Sequence, residues 1–400
     1  MFYCPTTARL FVAIAFFVQF DQFAIAQTSG ADTTDYINHW FIEPSARSGY
    51  VFPTNSFLRG SNLEGESIGS YNSISIKAGV QTLDDRPWVL HFAHPTIGFG
   101  VNVVQFNESD ELGTPIALFG FLNGPFKRWR RVSLDYEIAL GFAFNWKPFD
   151  PVNNPDNVSI GAKESAYVDL GVQASFAVTD RLYANAGFNV THYSNGALRK
   201  PNQGVNMIAP EIGLRYDLYK DGPVSPSTGH RSVFHPSTDL DIAVFGGSQN
   251  VIYDSLNVEL IEKYEGVNYL AVGIQATVSR HFAFKSKLGV GFSADYNGAH
   301  DAQVSVANGE IEPVRSPFHE KLQLSIYPSY EFVINKTSIL VQPSFYVART
   351  NASGQTPVFY QRLGIRQTIR PWLFVGMNLR AYQLHVSEFL EWNIGYRFHR

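Results

Sequence analysis

The run Leu182-Tyr183-Ala184-Asn185-Ala186-Gly187-Phe188-Asn189-Val190-Thr191-His192-Tyr193-Ser194 decides the fold. Its even positions from Leu182 to Val190 are apolar. Its odd positions, Tyr183, Asn185, Gly187, Asn189, Thr191 and Tyr193, are largely polar. Alternation with period two marks a β-strand with one apolar and one polar face. In a soluble sandwich the apolar face would be core; in a small membrane barrel it meets lipid while the polar face fills the lumen. Composition favours the barrel. Aromatic residues make up 14% of the 400-residue chain and charged residues only 16%, below the ~25% of an ordinary soluble protein. No later stretch reaches the ~20 apolar residues of a transmembrane helix.

The pattern extends in both directions. From Asn206 to Tyr219, Ile208, Pro210, Ile212, Leu214, Tyr216 and Leu218 form an apolar side. Met207, Ala209, Glu211, Gly213, Arg215 and Asp217 form the mostly polar side. Further strands are expected near 39–51, 71–82, 95–106, 113–123, 131–146 and 165–179. A polar Pro/Gly/Ser-rich segment at 221–237 reads as a linker. Beyond it, runs near 238–249, 264–279, 282–296, 319–333, 337–349, 357–369, 371–384 and 387–398 supply a second set. The expected architecture is an all-β, antiparallel transmembrane β-barrel with two related eight-stranded halves, 38–220 and 238–400. Two tandem barrels and one barrel of about sixteen strands both satisfy the pattern.

Residues 1–26 read as a secretory signal peptide. Arg9 is a small basic n-region, Leu10 to Phe20 is apolar, and Ala24-Ile25-Ala26 is a cleavage-type site. The only cysteine, Cys4, lies inside it, so no disulfide or thiol chemistry is expected in the mature chain. A net charge of −4 gives no sign of a nucleic-acid partner. Lys127-Arg128-Trp129-Arg130-Arg131 reads as an interfacial anchor. His91 and His94 lack the surrounding carboxylates or cysteines of a metal site, and no metal is expected there.

The halves echo each other. Gly187-Phe188-Asn189-Val190 returns as Gly376-Met377-Asn378-Leu379, Ile212-Gly213-Leu214-Arg215-Tyr216 as Ile394-Gly395-Tyr396-Arg397-Phe398, and Leu170-Gly171-Val172 as Leu363-Gly364-Ile365. The order is kept, at offsets of about 182 to 193 residues. On this alignment Ala381 stands where the first half has His192.

His192 and Ser194 continue the even face, so a base and a hydroxyl share one side of a strand. A serine becomes nucleophilic when a base takes its proton, and the base needs a third group to orient it. Asn206 has the lipid-facing parity of its strand; Glu211 has lumen parity, on the wrong side of the wall. Parity therefore selects Asn206 as the orienter. Asn195, the Gly196 backbone and Asn202 are oxyanion candidates. Arg199 and Lys200 are candidates for lipid phosphates. With the first strand starting in the periplasm, His192 and Ser194 fall at the outer interface and address outer-leaflet lipid.

His192-x-Ser194-Asn195 followed by Pro201-Asn202-x-Gly204-Val205 resembles the active-site motif of the lipid A 3-O-deacylase family. These are outer-membrane barrels that hydrolyse the ester-linked acyl chain at position 3 of lipid A. The resemblance covers about residues 38–220. It implies a hydrolase of the bacterial outer membrane, with Ser194 as nucleophile, His192 as base and lipopolysaccharide as substrate. The family's third member, a Glu, falls where this chain has Asn206. The stretch is also similar to outer-membrane phospholipase A, which has His-x-Ser-Asn-Gly and an Asn at the spacing from His192 to Asn206. That likeness implies phospholipid as substrate and calcium as cofactor; otherwise no cofactor is expected. A structural or pore-forming barrel without catalysis is the reading from a different class, and the second half, lacking the His-Ser pair, is its best support.

Overall fold

A computed structural model describes residues 39–218, 233–253, 263, 265–350, 357–382 and 386–399. The expected signal peptide and most of the expected linker lie outside the described residues. Eight antiparallel strands close the first barrel: β1 (His39–Val51), β2 (Ser70–Gln81), β3 (Thr96–Phe106), β4 (Gly113–Arg128), β5 (Val132–Trp146), β6 (Ser165–Ala177), β7 (Leu182–Ser194) and β8 (Val205–Asp217). The second barrel is built from β9 (Ser237–Val251), β10 (Val267–Ala283), β11 (Ser286–Asn297), β14 (Leu322–Ile334), β15 (Thr337–Arg349), β16 (Phe359–Arg370), β17 (Leu373–Tyr382) and β18 (Val386–His399). Between β11 and β14, β12 (Val304–Ala307) and β13 (Glu310–Pro313) pair as a separate hairpin. The chain thus forms two closed eight-stranded barrels, and the alternative of one sixteen-stranded barrel is not realised.

Closure satisfies every strand edge, which is what allows sheet to cross lipid at all. Parity then sorts the side chains. On β7, Phe188 and Val190 point outward at 64% and 48% exposure, whereas Asn185, Asn189 and Thr191 are buried in the lumen. On β8, Ile212 and Leu214 face outward while Met207, Ala209 and Glu211 face inward. The outward apolar band is the surface that meets lipid.

The lumens are filled with paired charge. In the first barrel, Lys77 Nζ lies 2.9 Å from both Glu43 and Glu137, and Arg47 NH1 lies 2.8 Å from Asp169. In the second, Arg362 and Arg380 both bind Glu391, at 2.9 and 3.0 Å, and Arg380 also reaches Asp295 at 3.1 Å. Tyr360 lies under both guanidiniums. A buried ion needs partners on every side, and these clusters supply them.

The closing seams share one device. Where β1 meets β8, Arg47 stands opposite Glu211 and forms an ion pair with it. Where β9 meets β18, Asp241 stands opposite Arg397 at 2.7 Å. An opposite-charge pair directly across a ladder fixes register, here between the first and last strands of each barrel.

Structure also accounts for the sequence echoes. Gly171 is in register with Asn189, and Gly364 with Asn378. A Cβ on Gly171 would stand 2.6 Å from Asn189 Nδ2, and one on Gly364 would stand 2.0 Å from Asn378 Oδ1. Each glycine leaves room for the asparagine of the neighbouring strand.

In the first barrel two turns at one end, 129–131 and 178–181, are short, while the connection at 82–95 on that end and those at 52–69 and 147–164 on the other are long. Short periplasmic turns and long external loops are the rule for such barrels. The external loops bury Phe57, Leu58, Ile68 and Ile160 in a small core over that mouth. At the periplasmic side, Arg128 of the basic cluster donates to the carbonyls of Ala93 and His94. It fastens a loop, while Lys127 stacks over Trp129.

Candidate active site

His192 and Ser194 close the outer end of β7. The residue between them, Tyr193, points inward and is fully buried. Its ring packs edge-on against Trp146 at 5.1 Å and against Tyr167 at 5.4 Å. Because neighbours on a strand point to opposite sides, anchoring Tyr193 in this aromatic cluster turns His192 and Ser194 outward. The motif reading overlooked Tyr193; an aromatic between two polar outward residues was the available signal.

β8 runs antiparallel beside β7, and His192 is in register with Asn206. The two side chains meet on the outer face, with His192 Nδ1 2.7 Å from Asn206 Oδ1. A carbonyl oxygen only accepts, so the imidazole proton sits on Nδ1 and donates. That leaves the Nε2 lone pair for proton abstraction. Glu211 points into the lumen, where Arg47 and Lys77 hold it. Ser194 is 5% exposed and His192 and Asn206 are half-buried, so the group is largely shielded from water.

Gly204, which the motif includes without a stated role, packs beside the pair. Its φ is +75°, a conformation that favours glycine. A Cβ there would lie 2.9 Å from the Tyr193 carbonyl and 3.1 Å from His192 Cε1. Its N–H donates to the Ser159 carbonyl at 2.9 Å, so that donor is already engaged.

The remaining candidates divide. The first compact unit runs to Asn195 and resumes at Gly204, whereas Gly196–Gln203 belongs to the second. His192, Ser194, Asn206 and the buried Asn195 therefore share one unit; Gly196, Arg199, Lys200 and Asn202 do not belong to it. The outward positions beside the pair, Ala166 and Val168 on β6 and Ile208 on β8, carry no carboxylate. Among the described residues no group of three or more His, Cys, Asp or Glu side chains could hold a metal.

Two solved structures are similar to the chain at low identity and low TM-score. A Rh. blastica porin mutant is 8% identical over 90% of this chain and 100% of its own, with a TM-score of 0.16. The siderophore receptor PirA from Acinetobacter baumannii is 11% identical over 87% of this chain and 56% of its own, with a TM-score of 0.23. No curated protein sequence matches. Two family descriptions do match: "Lipid A 3-O-deacylase (PagL)" over residues 120–215, and "Acyloxyacyl hydrolase, C-terminal domain" of the same family over residues 238–400. The first span contains β7 and most of β8, the second the whole of the second barrel. The chain therefore belongs to the lipid A 3-O-deacylase family and is an ester hydrolase of the bacterial outer membrane.

Proposed function

We propose that the first barrel removes an ester-linked acyl chain from lipid A by a serine mechanism, with Ser194 as nucleophile, His192 as base and Asn206 as orienter. The observation that carries this is the 2.7 Å bond from His192 Nδ1 to Asn206 Oδ1 on the lipid-facing wall, beside Ser194. Lipid A enters sideways from the outer leaflet. Ser194 Oγ attacks the ester carbonyl while His192 Nε2 takes its proton. The imidazolium then protonates the departing alkoxide as the acyl-enzyme forms. Water, deprotonated by the same nitrogen, attacks that ester; the proton returns to Ser194 and the fatty acid leaves. Phospholipid is the second reading, favoured by the amide at position 206.

The test is incubation of the folded protein with lipopolysaccharide and, separately, with phospholipid, with and without a calcium chelator, reading products by mass spectrometry. Acyl loss from lipopolysaccharide that survives chelation is expected. Ser194→Ala should lower it by at least about a thousandfold. Calcium-dependent release from phospholipid alone would favour the second reading. No release from either would sink both.

A further inference from the structure

The long loop between β5 and β6 contains two polar residues with no solvent exposure, Asn157 and Ser159. Asn157 Oδ1 accepts from the backbone N–H groups of Ser159 and Ile160, both at 3.1 Å, and its Nδ2 donates to the Lys147 carbonyl at 2.9 Å. Ser159 Oγ accepts from Asn55 Nδ2, in the β1–β2 loop, at 2.9 Å. Asn55 Oδ1 in turn accepts from Leu58 N–H at 3.0 Å. Two loops far apart in sequence thus fix one short backbone segment. Its free end is the Ser159 carbonyl, and that carbonyl takes the N–H of Gly204. Gly204 in turn faces the His192 ring closely enough that a Cβ added there would stand 3.1 Å from Cε1.

We propose that Asn157 and Ser159 are positioning residues for the hydrolase: they hold Gly204 as a wall against the imidazole and so set its angle. Asn206 restrains the ring at Nδ1. A ring held at one atom can still swing about that bond, and the Gly204 backbone facing its Cε1 edge, between the two nitrogens, leaves little room for the swing. Misplacement of a reacting group by about 1 Å can cost roughly a hundredfold in rate. Buried polar groups that lose a partner do not find a replacement in water, so the loss of Asn157 moves the Ser159 carbonyl. This inference rests on the catalytic reading of His192 and Ser194.

The test uses the full chain folded in detergent, with fold checked for each variant by heat-modifiable gel mobility. Asn157→Ala removes three hydrogen bonds, Asn157→Asp keeps the two accepted by Oδ1, and Gly204→Ala places a methyl against the ring. In folded protein, Asn157→Ala and Gly204→Ala should lower kcat by roughly tenfold to a hundredfold, with KM little changed and the acidic limb of the pH profile displaced. Asn157→Asp should recover most of the rate. The His192 Cε1–H proton resonance, assigned with His192→Gln, should move in both damaging variants, and this readout needs no turnover. Wild-type kcat, pH profile and resonance in folded Asn157→Ala and Gly204→Ala would overturn the proposal. So would a lower kcat with an unchanged profile and resonance, the signature of partial unfolding. Ser194→Ala separates the two levels. If it retains wild-type turnover, the catalytic reading fails; if it is inactive while the other variants behave as wild type, only the positioning role fails.

Discussion

On the motif resemblance, position 206 carries an amide where the lipid A 3-O-deacylases have a carboxylate. An amide oxygen orients the ring but carries no charge to stabilise the imidazolium formed during attack. Asn206→Glu should therefore raise deacylation, by about tenfold or more, measured as initial rates on lipopolysaccharide. Asn206→Ala should lower it by roughly a hundredfold, because the Nδ1 proton then has no fixed acceptor. An unchanged rate in both variants would remove Asn206 from the mechanism. That Asn206, and not Glu211, shares a face with His192 was legible in sequence because parity on a strand is rigid: one residue of offset moves a side chain through the wall. The link between Gly204 and Ser159 was not legible, since it is a backbone hydrogen bond between loops. Nothing in the side-chain pattern of either loop announces it.

Strands were legible where they were long. The run over 182–194 coincides with β7, and the expected limits of 39–51 and 337–349 match β1 and β15. Strands β12 and β13 escaped notice because each has 4 residues, too few to display alternation. The choice between two small barrels and one large one was hidden for a different reason. It depends on pairs 164 residues apart at Arg47–Glu211 and 156 residues apart at Asp241–Arg397, which no local period encodes. These pairs have an energetic consequence. Asp241→Ala leaves Arg397 and Arg366 without a carboxylate each now contacts. Removing one partner of a buried ion pair costs about 3–5 kcal/mol. Denaturant unfolding in micelles should show a loss of that order, while Asp241→Glu should recover part of it. A loss below about 1 kcal/mol would mean that the seam is held by backbone pairing alone.

At the scale of the whole molecule, both lumens are occupied by side chains. Arg362, Arg380 and Glu391 are completely buried in the second barrel, and Lys77 and Asp169 nearly so in the first. A water column would leave such groups wet. In planar bilayers the protein should therefore give no stepwise conductance, and regular open-channel steps would contradict filled lumens. This weighs against a pore as the role of the second barrel. With the centre of each barrel filled, the proposed mechanism brings lipid to Ser194 across the outer wall. A substrate that arrives sideways is met in two dimensions, so its effective concentration is its mole fraction in the surrounding amphiphile. Diluting lipopolysaccharide with inert detergent, at constant bulk concentration, should slow the enzyme in proportion to surface dilution. Diluting both together with buffer should leave the rate per enzyme nearly unchanged.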